Sequence, residues 1–229
     1  MATTLPDWHP TALKLADGRE FLPRHAWCVG RNYAEHAREM GSDPDKRDPV
    51  FFSKPAAALV QAETVEWPPA TEELHHEAEL VVFLGAGGRD LSPKQATECV
   101  FGYAAGCDLT RRDVQARAKA AGMPWALSKG FDQSGPVGPI VPADEWQPES
   151  NTGIRLQVNG EIRQQATLGD MIWPVAELLA RLSREVTLHP GDAVFTGTPS
   201  GVSGLAVHDQ VRVEIEGLPT LEFAIAPGR

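Results

Sequence analysis

Glu77 and Glu79 stand at the mouth of an apolar run, in the stretch HHEAELVVFLG that spans His75 to Gly85. In a strand, residues i and i+2 share a face, so the two carboxylates project to the same side. Like charges on a half-buried face repel unless a cation lies between them. Simple hydration at the exposed start of a strand is the plainer alternative. Asp108, set between small residues in GCDLT, supplies a third oxygen donor. The three together suit Mg²⁺, Mn²⁺ or Ca²⁺ and leave positions for water or a chelating substrate. A cap or turn is the ordinary use of such an aspartate.

Other residues could act beside that trio. His36 and Glu39 lie at i and i+3 in NYAEHAREMG and would share a helix face. A carboxylate next to a histidine fixes its tautomer and raises its basicity, as a general base for water requires. A surface ion pair is the commoner use of the pattern, and Glu35 and Arg38 read that way. Lys129, alone among aromatic, small and turn-forming residues in WALSKGFDQSGPVG, could meet an oxyanion or merely reach solvent. Arg112 and Gln115 face one way on a helix that follows Asp108. GTPSGVSG is a glycine-rich loop whose N–H groups could bind a carboxylate or phosphate, but it lacks the ending of a nucleotide P-loop.

The elements that must position these residues are mostly strands. Ala26–Val29, the run around Lys54-Pro55, Leu80–Leu84 and AAGCDLT read as strands, IRLQVNGEIRQQ as a hairpin about Asn159-Gly160, and three more strands close the chain. The helices are short. Asn32 with Glu35 predicts a capped start for the one carrying His36, with Gly41 ending it. Ser92, Pro93 and Gln95 predict a capping box for a helix running through SPKQATECVFGYA. RRDVQARAKAAG and WPVAELLARLSRE complete the set. Helices and strands do not alternate regularly, which argues against a doubly wound sheet and for a β-rich α+β domain built as a rolled mixed sheet. Residues 1–24, with three prolines, read as an irregular arm or short hairpin before a domain at 25–229.

Composition narrows the partners. A formal charge of −10 over 229 residues, without any block of Lys or Arg, makes nucleic acid and anionic membrane poor candidates. No run is long or apolar enough to span a bilayer, and MATTLPDWHP is not a signal peptide. Cys28, Cys99 and Cys107 read as buried thiols in a reducing compartment, so a cytoplasmic protein is expected.

Seven segments in order resemble the fumarylacetoacetate hydrolase superfamily: CVGRNYAEHAREMG, FFSKPAAALV, HHEAELVVFLG, GCDLTRRDVQ, WALSKGFDQSGPVG, VNGEIRQ and GDAVFTGTPSGVS. They run from about Trp27 to Ala226, and AREMGSDPDKRDPVFFSKPA is most similar to bacterial fumarylpyruvate hydrolases of aromatic-compound catabolism. The resemblance implies a rolled mixed β-sheet with short peripheral helices, usually as a homodimer. It implies a Mg²⁺ or Mn²⁺ site at Glu77, Glu79 and Asp108, and a His36–Glu39 pair on a mobile lid. It further implies Lys129 as the catalytic lysine, with Arg112, Gln115 and Thr198 at the substrate, and Arg31 is a further cation expected to bind it. The implied reaction is hydrolysis of the C3–C4 bond of an acylpyruvate, a diketo acid. Oxaloacetate decarboxylation is the alternative, and isomerase/decarboxylase chemistry of homoprotocatechuate breakdown a third.

Overall fold

A computed structural model of the chain describes residues 9–39 and 48–228. Its strands form two main sheets. The larger has six strands in the order Val141–Pro142, Val100–Cys107, Ala78–Leu84, Asp192–Phe195, His25–Gly30, Val50–Lys54. It is mixed, because Asp192–Phe195 runs parallel to His25–Gly30 and antiparallel to Ala78–Leu84. The smaller sheet orders Glu161–Thr167, Gly153–Val158, Gln210–Ile215, Leu221–Ala226 and Thr64–Glu66. This is the β-rich mixed architecture expected from the sequence.

The apolar run at the centre is buried on both faces, as a run without polar interruption requires. Leu80, Val82 and Leu84 share one core cluster with Leu156, Val211 and Val213 of the smaller sheet. Val81 and Phe83 point the other way, into a second cluster with Cys28, Phe195 and Leu13. Leu13 belongs to a short hairpin in which Leu13–Lys14 pairs with Glu20–Phe21, the hairpin read from Asp17-Gly18. It docks through Leu13 and Leu15, both buried. Cys28, Cys99 and Cys107 are free and buried.

Among the described residues, five α-helices decorate the sheets: α1 (Ala34–Glu39), α2 (Pro93–Glu98), α3 (Arg112–Ala120), α4 (Ala126–Lys129) and α5 (Val175–Glu185). The capping box of α2 forms as predicted, with Ser92 as N-cap and Gln95 at N3. Its far end differs from expectation, because the helix stops at Glu98 and Val100 opens a strand. Tertiary pairing decides this: Val100–Cys107 pairs with Ala78–Leu84 on one side and Val141–Pro142 on the other, where a Cβ at Gly102 would lie 2.5 Å from the Val141 carbonyl. The Asn159-Gly160 hairpin is as read, with both residues at positive φ, the signature of a type I′ turn. In α5, Val175, Leu178, Leu179 and Leu182 fall on one buried stripe.

Asn32 corrects another expectation. It does not cap α1, which begins at Ala34. Its side-chain amide donates to the Thr196 carbonyl at 2.7 Å and the Trp173 carbonyl at 3.0 Å, and its Oδ1 accepts from Trp173 N–H at 2.8 Å. A fully buried side chain thus ties the α1 approach to two distant segments. Met40 and Gly41, read as the end of that helix, lie outside the described residues. Asn32→Ala would leave buried backbone groups unpaired, and chemical denaturation is expected to show a loss of at least about 2 kcal/mol.

Candidate active site and metal centre

Strand register brings the carboxylates together. Ala78 pairs with Cys107 and Glu79 with Gly106, so Asp108 follows directly beside Glu77, and its N–H donates to the Glu77 carbonyl at 2.8 Å. One oxygen from each of Glu77, Glu79 and Asp108 lies within 4.8 Å of the others, and all three residues are buried. The two glutamates therefore do enter the protein interior, and hydration does not explain them.

Cations and one N–H group make that burial tolerable. The Lys129 ammonium, at the end of α4, donates to Glu77 Oε2 at 2.7 Å and Asp108 Oδ2 at 2.6 Å. Lys129 is only 2% exposed, so it is no solvated surface lysine. Arg112, at the start of α3, pairs with Glu77 Oε1 at 2.5 Å and donates to Gln115 Oε1 at 2.7 Å. Burial alone would raise the Glu77 carboxyl, but Lys129 and Arg112 outweigh it and hold it well below the usual range. For Lys129, burial works against the charge, yet Asp108 and Glu77 hold its pKa above the ordinary lysine value. Among the described residues no cation contacts Glu79, although the nearby Lys129 charge favours its ionised form. Glu79 accepts from Gly197 N–H at 2.6 Å, and burial, reinforced by Asp108 and Glu77, pushes its carboxyl well up.

Lys54 is the residue that sequence reasoning missed. It ends the strand Val50–Lys54, is fully buried, and places Nζ 2.8 Å from Asp108 Oδ1. The same ammonium donates to the Leu109 carbonyl at 3.3 Å and to the Lys129 carbonyl. It fastens the third carboxylate and the backbone of the second lysine at once. The available signal was a lysine closing an aromatic strand just before a proline.

The remaining candidates line one cleft: Arg31, His36, Arg112, Gln115, Lys129 and Thr198, with Glu77 and Glu79 at its floor, and Lys119, Phe52 and Trp125 on its walls. Arg31 sits at φ 66°, a left-handed conformation at the turn into α1. His36, on α1, is 6% exposed. Its Nδ1 is 3.6 Å from Glu39 Oε2, beyond hydrogen-bond length, and has no hydrogen-bond partner among the described residues. Burial lowers the His36 pKa, partly opposed by Glu77, and favours the neutral ring. Glu35 and Arg38 are exposed, as read.

The glycine-rich loop binds carboxylates, though they are the protein's own. Gly197 N–H serves Glu79, and Gly201 N–H lies 3.3 Å from both oxygens of Glu39. Gly197 has φ 97°, and a Cβ there would lie 2.7 Å from the Asn32 Cβ, so only glycine fits. Beside this loop, His76 is buried between Gln164 Oε1 and Ser203 Oγ, at 3.0 and 2.9 Å.

The family model for the fumarylacetoacetate (FAA) hydrolase C-terminal domain matches residues 25–226. The chain belongs to the fumarylacetoacetate hydrolase family. Among solved structures, a fumarylpyruvate hydrolase from Pseudomonas aeruginosa in complex with Mn²⁺ and pyruvate superposes with a TM-score of 0.95. It is 42% identical, over 98% of this chain and 99% of that one. The oxaloacetate tautomerase YcgM of Escherichia coli is 43% identical over 83% of this chain and 87% of its own length. The mitochondrial oxaloacetate tautomerase FAHD1 of Arabidopsis thaliana is 38% identical over 86% and 90%. Within the family, the chain shares the fold and the fumarylpyruvate-hydrolase-like branch.

The donor set suits a divalent metal ion. Three buried carboxylates offer hard oxygen ligands only, and Glu79, the one lacking a cationic partner, is the carboxyl most in need of a positive charge. Two outcomes are expected. Glu79→Gln removes a buried like charge, so the metal-free variant should melt no lower than wild type, while the rise in Tm on adding Mn²⁺ disappears. Lys54→Met strips Asp108 Oδ1 of its ion pair and two buried carbonyls of their donor, leaving Lys129 as the cation on Asp108, and should cost about 3 kcal/mol of stability by urea denaturation.

Proposed function

We propose that this protein is a divalent-metal-dependent acylpyruvate hydrolase that cleaves the C3–C4 bond of fumarylpyruvate to give fumarate and pyruvate. The observation that carries the reading is a buried, all-oxygen metal site at the floor of a cleft, roofed by a buried histidine with a carboxylate beside it. Four cationic side chains line that cleft, Arg31, Arg112, Lys119 and Lys129, against Glu77 and Glu79. Local positive charge suits an anionic diketo acid despite the acidic chain as a whole. The near full-length likeness to a fumarylpyruvate hydrolase supports the choice of acyl group.

Mg²⁺ or Mn²⁺ held by Glu77, Glu79 and Asp108 would supply Lewis acidity toward the adjacent carboxylate and 2-oxo oxygens of the substrate. The chain's own groups do the rest. Thr198 and Arg31 hold substrate oxygens at the cleft wall. Glu39, facing Nδ1, leaves Nε2 of His36 to take a proton from water. That water adds to C4, and the oxyanion formed there meets Lys129, two of whose three protons are spent on Glu77 and Asp108, together with the amide of Gln115. Breaking C3–C4 releases the carboxylic acid and the enolate of pyruvate, and the proton on His36 is then available to C3. The cleft encloses about 390 Å³, counted out to the solvent at its mouth. Seating of α1 over the bound substrate would bring His36 to the attacking water.

A second reading is favoured by the curated relatives that act as oxaloacetate tautomerases. Oxaloacetate presents the same carboxylate and 2-oxo group, and its tautomerisation needs a base but no attacking water. Product analysis separates the two. On the hydrolase reading, fumarylpyruvate loses its near-UV enol absorbance in an EDTA-sensitive reaction that releases fumarate and pyruvate in equal amounts. His36→Ala is expected to lower kcat for that reaction by roughly 10²–10⁴-fold. Enol–keto exchange of oxaloacetate without cleavage of fumarylpyruvate would transfer the assignment to the tautomerase.

A further inference from the structure

A polar network runs from Ser203 through His76 and Gln164 to Thr198, and the reaction as written leaves most of it unused. Gln164 lies in the strand Glu161–Thr167 and is 1% exposed. Its amide meets two partners of fixed polarity. Oε1 accepts from the Ala78 N–H at 2.9 Å, and Nε2 donates to the Pro199 carbonyl at 2.8 Å. A peptide N–H can only donate and a peptide carbonyl can only accept, so the amide has one possible orientation. The same Nε2 is 2.7 Å from Thr198 Oγ1 and must donate there as well. Both amide protons are then used, and the Thr198 oxygen is an acceptor toward Gln164. Its own proton must point elsewhere. Thr198 lines the cleft, and among the described residues no protein acceptor takes that proton.

The geometry extends outward and is tightly held. Nδ1 of His76 is 3.0 Å from Gln164 Oε1, which can only accept, so Nδ1 carries a proton. The loop carrying Thr198 lies hard against the neighbouring backbone: at Gly201, with φ 93°, a Cβ would stand 2.0 Å from the Arg163 carbonyl. Thr198 therefore cannot drift away from Gln164 while the loop keeps this seat.

We propose that Gln164 is a positioning residue that makes the Thr198 hydroxyl an obligate hydrogen-bond donor into the cleft, aimed at the carboxylate of a bound 2-oxo acid. This rests on the reading of the cleft as a 2-oxo-acid site. In Gln164→Glu the side chain has at most one proton, which the Pro199 carbonyl takes, so Thr198 donates to it and turns its proton away from the ligand. The effect is polar and directional, and it vanishes if Thr198 has no hydroxyl.

The test is a double-mutant cycle read by calorimetric titration of oxalate into the Mn²⁺-loaded protein, with Gln164→Glu, Thr198→Val and the double variant. Gln164→Glu is expected to weaken oxalate binding roughly 10- to 100-fold, the range for a hydrogen bond to a charged group. In the Thr198→Val background the same change should alter binding by less than about twofold. Mn²⁺ affinity of the metal-free protein should stay within about threefold across the set, a range in which the metal site is intact. Gln164→Met, which removes the donor without adding charge, is carried through the same cycle in case the glutamate variant does not fold. Equal losses in both backgrounds, or no loss in either, would overturn the proposal and leave Gln164 a structural residue. Failure of the wild-type protein to bind oxalate with Mn²⁺ present would overturn the reading of the cleft itself, and the role of Thr198 with it.

Discussion

Three carboxylates converging inside a sheet are the constraint around which this molecule is organised. Alone, such a cluster would be driven apart or protonated, because burial penalises each charge and neighbours penalise each other. The chain answers with elements brought from far along the sequence. Lys54 comes from an edge strand, Arg112 from the start of α3 and Lys129 from the end of α4, and each arrives at one or two carboxylate oxygens. Glu79 receives only the Gly197 N–H. The uneven distribution of cations leaves one carboxyl without a contacting cation, and that unevenness suits the trio to a divalent ion better than a saturated ion-pair network would.

The glycine-rich loop after Asp192–Phe195 is the second organising device. Within a few residues it offers an N–H to Glu79, an N–H to Glu39 and a hydroxyl to the cleft, and it receives Gln164 from behind. Floor, roof and wall of the cleft thereby share one segment. Glu39 ties α1 to that loop through the Gly201 N–H. On the proposed reading, the helix that carries the base is registered against the loop that holds the substrate.

The parts legible in the sequence were those set by local periodicity and order. Period-two spacing at the start of an apolar run puts Glu77 and Glu79 on one face but leaves hydration open, and Asp108 joins them only through the family resemblance. The cap of α2 and the turn at Asn159-Gly160 depend on four or five consecutive residues and could be read directly. What failed was whatever distant pairing decides. Asn32 has the right spacing to Glu35 for a capping box, yet Tyr33 bridges to Met171 and the amide serves Trp173 and Thr196 instead. The end of α2 is set by the pairing of Val100 onward with Ala78–Leu84. Lys54 reaches carbonyls 55 and 75 residues away, a use that no window around FFSKP contains.

Hydrolysis and tautomerisation make different demands on the same cleft. Both need a bound carboxylate and 2-oxo group and a base above the carbon or water that loses a proton. Only hydrolysis also needs a group to meet the oxyanion that forms at the far carbonyl. Lys129 keeps one ammonium proton free of Glu77 and Asp108, and it does so at the cleft surface, beside Gln115. Arg112 fixes that amide by donating to Gln115 Oε1, which directs its N–H₂ outward as a second donor. A pair of donors held in this way, by partners that leave them no other orientation, is preorganised for charge that appears only during the reaction. Tautomerisation would leave that pair without work, and its presence is the physical reason to prefer the hydrolase.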